Sequence, residues 1–171
     1  MIRFGIILML VCLIASAVLA FTYKTTSPLI TLQKEKEEKE TLNSIYEEAE
    51  EFQKVEDYYL VYKNKNLLGY ILRISIKGYA GPIELLVGFD KEGVINKVYI
   101  LEQKETPGLG GKIAEIKYQE KEPWFLRQFK GKKTENLSSE INTITGATIS
   151  SKAVIEGIKK KTEEFLKNHH N

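Results

Sequence analysis

Residues 67–101 read LLGYILRISIKGYAGPIELLVGFDKEGVINKVYIL, and the alternation of apolar runs with breakers in this stretch decides the fold. Leu67–Ile76, Ile83–Phe89 and Val94–Leu101 are rich in β-branched and aromatic residues, and Tyr58–Tyr62 is a similar run just upstream. Asn64-Lys65-Asn66, the segment from Gly78 to Pro82, and Asp90-Lys91-Glu92-Gly93 separate the runs, and each is turn-forming in composition. Connections this short join antiparallel neighbours, because a parallel pair needs a crossover of a dozen residues or more. No Gly-x-Gly-x-x-Gly opens a helix after a strand, so a dinucleotide-binding βαβ unit is not expected. No internal repeat is evident. The sequence therefore predicts an α+β domain, with an antiparallel sheet flanked by helices.

Toward the N-terminus the pattern changes twice. Phe4 to Phe21, FGIILMLVCLIASAVLAF, contains no charged residue. As a helix its 18 residues reach about 27 Å, just enough for a hydrocarbon core. A cleaved signal peptide is the competing reading, since Ala15-Ser16-Ala17 has small-x-small spacing with Ala20 nearby, but the apolar run continues to Phe21. Arg3 before the run orients the N-terminus to the cytoplasm and the rest of the chain to the extracytoplasmic side. Ser27-Pro28 is expected to interrupt a continuous helix. Residues 29–55, with KEKEEKE at positions 34–40, then read as a charged connecting helix carrying an i,i+4 pair, Glu35 with Lys39, and a narrow stripe of Leu42, Ile45 and Tyr46. The stripe is too short for a partner-binding coiled coil. The expected organisation is an anchor over 1–28, a connecting helix over 29–55 and a domain over 56–171.

Charge and ligand inventory narrow the chemistry. Without Arg3 and Lys24, the 25 basic residues fall to 23, against 23 acidic ones, so a nucleic-acid partner is not expected. Cys12, the single cysteine, lies in the apolar run, which leaves no disulfide and no cysteine-ligated metal for the domain. The two histidines, His169 and His170, sit beside the C-terminus and read as a solvated tail rather than a metal site.

Beyond the strands lie two unusual stretches. In Glu105-Thr106-Pro107-Gly108-Leu109-Gly110-Gly111, proline fixes one backbone angle and the glycines allow close backbone approach. Taken alone, it is an ordinary turn. Lys112 to Tyr118 reads as a short helix, Trp124, Phe125 and Phe129 as apolar anchors, and Gly131 to Glu140 as a polar loop. The second stretch is Thr145-Gly146-Ala147-Thr148-Ile149-Ser150-Ser151, opening a helix whose Val154, Ile158 and Phe165 share a face. A hydroxyl there stands beside free N–H groups and the positive end of the helix dipole, where a phosphate is stabilised. Thr148 or Ser150 as a plain helix cap is the simpler alternative.

Together, the two stretches resemble the covalent-FMN domain of the G subunit of the Rnf electron-transport complex, a domain also found in the C subunit of the sodium-pumping NADH:quinone reductase. The resemblance extends over the N-terminal anchor, the Gly78-Tyr79-Ala80-Gly81 turn, the strands and Trp124. In that family the last threonine of a Ser/Thr-Gly-Ala-Thr motif carries FMN through a phosphoester bond, and the matching residue here is Thr148. The resemblance implies that Thr145, Gly146 and Ala147 shape the attachment turn and that Glu105, Thr106, Pro107, Gly108, Leu109 and Gly110 lie against the flavin. It implies covalent FMN as cofactor and, as partners, the membrane subunits of the complex and a flavin transferase that uses FAD and magnesium. It also implies a role in electron transfer between ferredoxin and NAD coupled to sodium or proton movement, as a subunit that is not catalytic alone. The family has Asp six residues before the acceptor threonine, where this chain has Asn142, which keeps size and hydrogen bonding but loses the charge.

Two rival functions remain at this level. A hydrolase using Thr148 or Ser150 as nucleophile lacks a histidine base in the body of the chain, which leaves Lys152. A non-redox anchor or assembly subunit without flavin is compatible with Asn142.

Overall fold

The computed structural model describes residues 2–169, apart from the side chains of residues 2, 3, 28, 29, 31, 32, 34 and 35. The charge of Arg3, the Glu35–Lys39 pair and His170 therefore lie outside the described residues. The chain divides into two compact units, Met1–Glu40 and Thr41–Asn171.

The first unit is helical throughout its described length, as part of α1 (Ile2–Ile45). Its segment Phe4–Ser27, 24 residues with none buried, is long and apolar enough to cross a membrane. The hydroxyls in this stretch bond to the helix itself: Ser16 Oγ donates to the Cys12 carbonyl at 2.8 Å, and Thr22 Oγ1 to the Val18 carbonyl at 2.9 Å. Back-bonding of this kind leaves the outer surface apolar. Contrary to the expected break at Ser27-Pro28, α1 continues through it. Proline removes a single N–H, and the turns on either side keep their own bonds.

The second unit is a five-stranded antiparallel sheet, β1 (Glu51–Val55), β2 (Tyr58–Lys63), β3 (Asn66–Lys77), β4 (Pro82–Asp90) and β5 (Ile95–Gln103), in the order β1-β2-β3-β4-β5. The four expected strands are present as β2–β5. The charged helix expected to run to residue 55 stops at Ile45, where the Asn96 amide Nδ2 donates to the Ile45 carbonyl at 2.6 Å, and residues 51–55 form β1 instead. Pairing of Glu51–Val55 with Tyr58–Tyr62 overrides the helical bias of their charged composition.

Period-2 alternation gives the sheet two apolar faces. On one, Leu72, Ile74, Leu85, Val87 and Phe89 pack with Phe125, Phe129 and Leu137 and with Val154, Ile158 and Phe165 of α4 (Thr148–His169). The other face holds Tyr59, Val61, Ile71 and Leu86 under Leu42, Ile45 and Tyr46, so the stripe read from the sequence is a core face. Both faces are covered, as expected for a sheet flanked by helices.

Between β5 and α4 the chain makes short pieces. The helix expected over 112–118 is a 3-10 turn at Gly110–Ala114, and the expected polar loop over 131–140 contains a 3-10 turn at Thr134–Asn136 and the short α3 (Leu137–Glu140). Buried Leu137 and Thr134 explain the second difference: a mostly polar segment is ordered by the two residues it buries. Trp124 begins the short α2 (Trp124–Arg127) and packs half-buried against the core, with Lys117 Nζ 4.8 Å from its ring centroid.

Candidate functional site

Three stretches distant in sequence converge on one carboxylate. Glu105 follows β5, is 4% exposed, and accepts a hydrogen bond at Oε2 from Ser150 Oγ at 2.5 Å. Its Oε1 accepts from the Ala80 N–H at 2.9 Å and, more weakly, from the Gly81 N–H at 3.4 Å. A single side chain therefore joins the 78–81 turn, the 105–111 loop and the first turn of α4. Burial by itself would push the Glu105 carboxyl pKa up, but the Ser150 hydroxyl and the backbone N–H groups of Ala80, Gly81 and Tyr79 outweigh it and hold the group below the usual carboxylate range. Glycine is required around it, since a Cβ at Gly110 would collide with the carboxylate and with Ser150 Oγ, and one at Gly78 would collide with Oε1.

The loop itself is turned outward. The Thr106 carbonyl accepts from the N–H groups of Leu109 at 3.1 Å and Gly111 at 3.0 Å, closing the Pro107-Gly108 tip, where Gly108 has φ +74. Thr106, Pro107, Gly108 and Leu109 are exposed, while Gly110 is buried against Glu105. Of the sequence-predicted loop residues, Glu105 thus faces the interior and holds the loop in place, whereas the four after it present a surface.

Behind Thr148 the turn that leads into α4 is locked from the inside. Ile144-Thr145-Gly146-Ala147 is a four-residue turn closed by the Ala147 N–H to the Ile144 carbonyl at 2.9 Å, and Gly146 at its third position has φ +81, the left-handed value a type II turn needs there. Buried Ser151 Oγ accepts from the Ile144 N–H at 3.2 Å and donates to the Ala147 carbonyl at 2.8 Å. The 22-residue α4 starts immediately afterwards. Thr148 is exposed, and its hydroxyl takes part in no hydrogen bond among the described residues. The first N–H groups of any helix lack intrahelical partners, so an anion on this hydroxyl meets free donors and the positive dipole end. An unengaged, exposed hydroxyl at such a place fits a phosphate-linked group.

Two residues not singled out from the sequence complete the surroundings. Lys112, half-buried in the 3-10 turn, directs Nζ to the Thr145 carbonyl at 3.4 Å. Ser151 carried no signal beyond its place in the first helical turn. Asn142 is exposed, and its backbone pairs in both directions with the Gln128 side-chain amide, at 3.0 and 3.2 Å. Ser150 is 1% exposed with its proton directed to Glu105, and Lys152 is exposed to solvent, which removes that serine as a hydrolytic nucleophile. Among the described residues, no cluster of His, Cys, Asp and Glu is arranged to hold a metal ion.

The site thus combines an exposed hydroxyl at the head of α4 with a glycine-rich loop tied to the first turn of the same helix through Glu105 and Ser150. The FMN-binding domain model matches residues 78–163, which spans all three converging stretches. A second model, the RnfG N-terminal region, matches residues 1–45. The G subunit of the proton-translocating ferredoxin:NAD(+) oxidoreductase complex of Clostridium ljungdahlii is 32% identical over 168 residues, covering 92% of this chain and 87% of that protein. The G subunit of the ion-translocating oxidoreductase complex of Methanosarcina acetivorans is 30% identical over 164 residues, covering 85% and 84%, and that of Aliivibrio fischeri is 27% identical over 194 residues, covering 96% and 90%. A crystal structure of the C subunit of the Na(+)-translocating NADH-quinone reductase from Parabacteroides distasonis aligns with a TM-score of 0.49 at 26% identity, over 64% of this chain and 60% of that one. The chain belongs to the G-subunit family of the Rnf ion-translocating oxidoreductase complexes and contains that family's FMN-binding domain.

Proposed function

We propose that this protein is a membrane-anchored flavin carrier, with FMN joined through its phosphate to Thr148 Oγ. The observation that carries the reading is the exposed Thr148 hydroxyl, unbonded among the described residues, at the head of α4, whose first turn is tied through Ser150 and Glu105 to the base of the outward-facing loop 106–109. Attachment by a flavin transferase replaces AMP on the flavin-bearing phosphorus of FAD with Thr148 Oγ; the AMP leaves, and the hydroxyl proton is given up. A tether through the phosphate leaves the ring system free to supply the redox chemistry.

The protein's own residues orient and hold. Gly146 and Ser151 fix the turn that presents Thr148, Glu105 ties the first turn of α4 to the loop and to residues 78–81, and Thr106 to Leu109, with Gly110 behind them, offer the surface for the flavin. Relatives named as ferredoxin:NAD(+) oxidoreductase subunits support a place in an electron path between ferredoxin and NAD. Phe4 to Phe21 carries no charge, so movement of the coupled cation, sodium or proton, belongs to partner subunits of the membrane complex. The N-terminus is assigned to the cytoplasm and the domain to the extracytoplasmic side.

The test is denaturing electrophoresis of the protein made beside its native transferase. Flavin fluorescence that stays with the denatured chain, and is lost in Thr148→Ala, is expected. A chain that carries no flavin beside an active transferase would favour an assembly subunit instead, the reading Asn142 suggests.

A further inference from the structure

Resting on the proposed attachment to Thr148, we infer that Lys112 is the side-chain cation that receives the phosphoester group and positions it over the start of α4. Once joined to threonine and to the flavin's ribityl chain, the phosphate is a diester with one negative charge. Backbone N–H groups at the helix head supply dipoles but no full countercharge.

Lys112 is placed to supply it. Its 3-10 turn begins at Gly110, which is wedged between the Glu105 carboxylate and Ser150 Oγ, so the same network that holds the first turn of α4 also sets the lysine backbone. From there the side chain reaches across to the attachment turn: Nζ donates to the Thr145 carbonyl at 3.4 Å and lies 3.4 Å from the position a Cβ on Gly146 would take. That single long bond leaves most of the ammonium's three donors unspent. None of the ion pairs among the described residues includes Lys112, so its charge is not committed to a carboxylate. A side chain at Gly146 would begin in contact with the ammonium. Lys152, exposed on the first turns of α4, has no such contact.

The experiment follows attachment of FMN to the full-length protein by its native transferase, read as the initial rate of mass gain, with the 31P resonance of the loaded product as a second readout. A charge-assisted hydrogen bond corresponds to roughly tenfold in rate. Lys112→Gln is expected to slow attachment about tenfold and to shift the 31P resonance. Lys112→Arg is expected to return the rate to within about threefold of the parent, since guanidinium also binds phosphate, while Lys152→Gln behaves as the parent does. Parent-like rate and resonance in Lys112→Gln would overturn the inference and leave the attachment site standing. Lys112→Arg as slow as Lys112→Gln, with both unfolding more easily than the parent, would overturn it in favour of a purely structural lysine. A parent chain that gains no mass would overturn the attachment itself, and the role of Lys112 with it.

Discussion

Replacing Glu105 with Gln tests whether one buried carboxylate organises the site. Gln keeps the shape and keeps a carbonyl for the Ala80 and Gly81 N–H groups, while its amide faces a Ser150 hydroxyl that must turn to accept. What is lost is charge assistance, about 1 kcal/mol for each well-formed bond, since bonds to charged groups are worth about 1.5–3 kcal/mol and neutral ones about 0.5–1.5 kcal/mol. Two of the three bonds are short and the third is 3.4 Å, so the expected loss is about 2 kcal/mol. Glu105→Ala also strands the buried Ser150 hydroxyl and opens a cavity, for about 3–5 kcal/mol. The pH dependence has a definite sign. The folded carboxyl pKa lies below its unfolded value, so its contribution is complete above the unfolded value of about 4.3 and disappears as pH falls through the lowered folded value. Urea titration of the detergent-solubilised full chain, followed by the fluorescence of the single tryptophan, Trp124, reads both effects. Glu105→Gln should unfold at lower urea at pH 7, and the gap should close in acid. Equal midpoints at pH 7, or a gap that does not narrow as pH falls below the unfolded value of about 4.3, would refute the argument.

Three further outcomes follow from particular contacts. Gly146→Ala places a Cβ on a residue at φ +81, which should cost about 1–2 kcal/mol in urea titration, and a slower attachment of FMN should accompany it. Tyr46→Phe removes a buried hydroxyl that has no hydrogen-bond partner among the described residues and whose ionisation is suppressed by burial and by the Asp90 charge; stability should hold or rise by up to about 1 kcal/mol, and a clear loss in thermal or urea unfolding would show that the hydroxyl is satisfied. Asn142→Asp supplies the charge that the resemblance implies six residues before the acceptor threonine, and initial rates of mass gain should increase without a change in unfolding midpoint, because the Gln128 pairing uses only the Asn142 backbone.

Much of the architecture is written locally. β2 to β5 were legible because β-branched runs alternate with strong breakers, and Gly93 sits at φ +77 where such a turn needs it. β1 was not, because EFQKV has a charged composition like the helix before it and becomes a strand only by pairing with Tyr58–Tyr62. The continuation of α1 past Pro28 shows the opposite error, in which a strong local breaker is outvoted by helical turns on both sides. At the site, Thr148 and the glycine loop stood out through the resemblance of the two stretches to a known family, since by composition alone they read as a helix cap and an ordinary turn. The inward turn of Glu105 did not stand out, since its partners Ala80 and Ser150 lie 25 and 45 residues away in sequence. Lys112 was invisible for the same reason, its contact with Thr145 being set by the fold and not by any motif.

The central claim is the bond to Thr148, and intact mass tests it most directly. The protein produced with its native flavin transferase should be heavier than its sequence by one FMN joined with loss of water, and Thr148→Ala should have its sequence mass. An unmodified parent chain, beside a transferase shown to be active on another acceptor, or the same added mass in Thr148→Ala, would contradict the account.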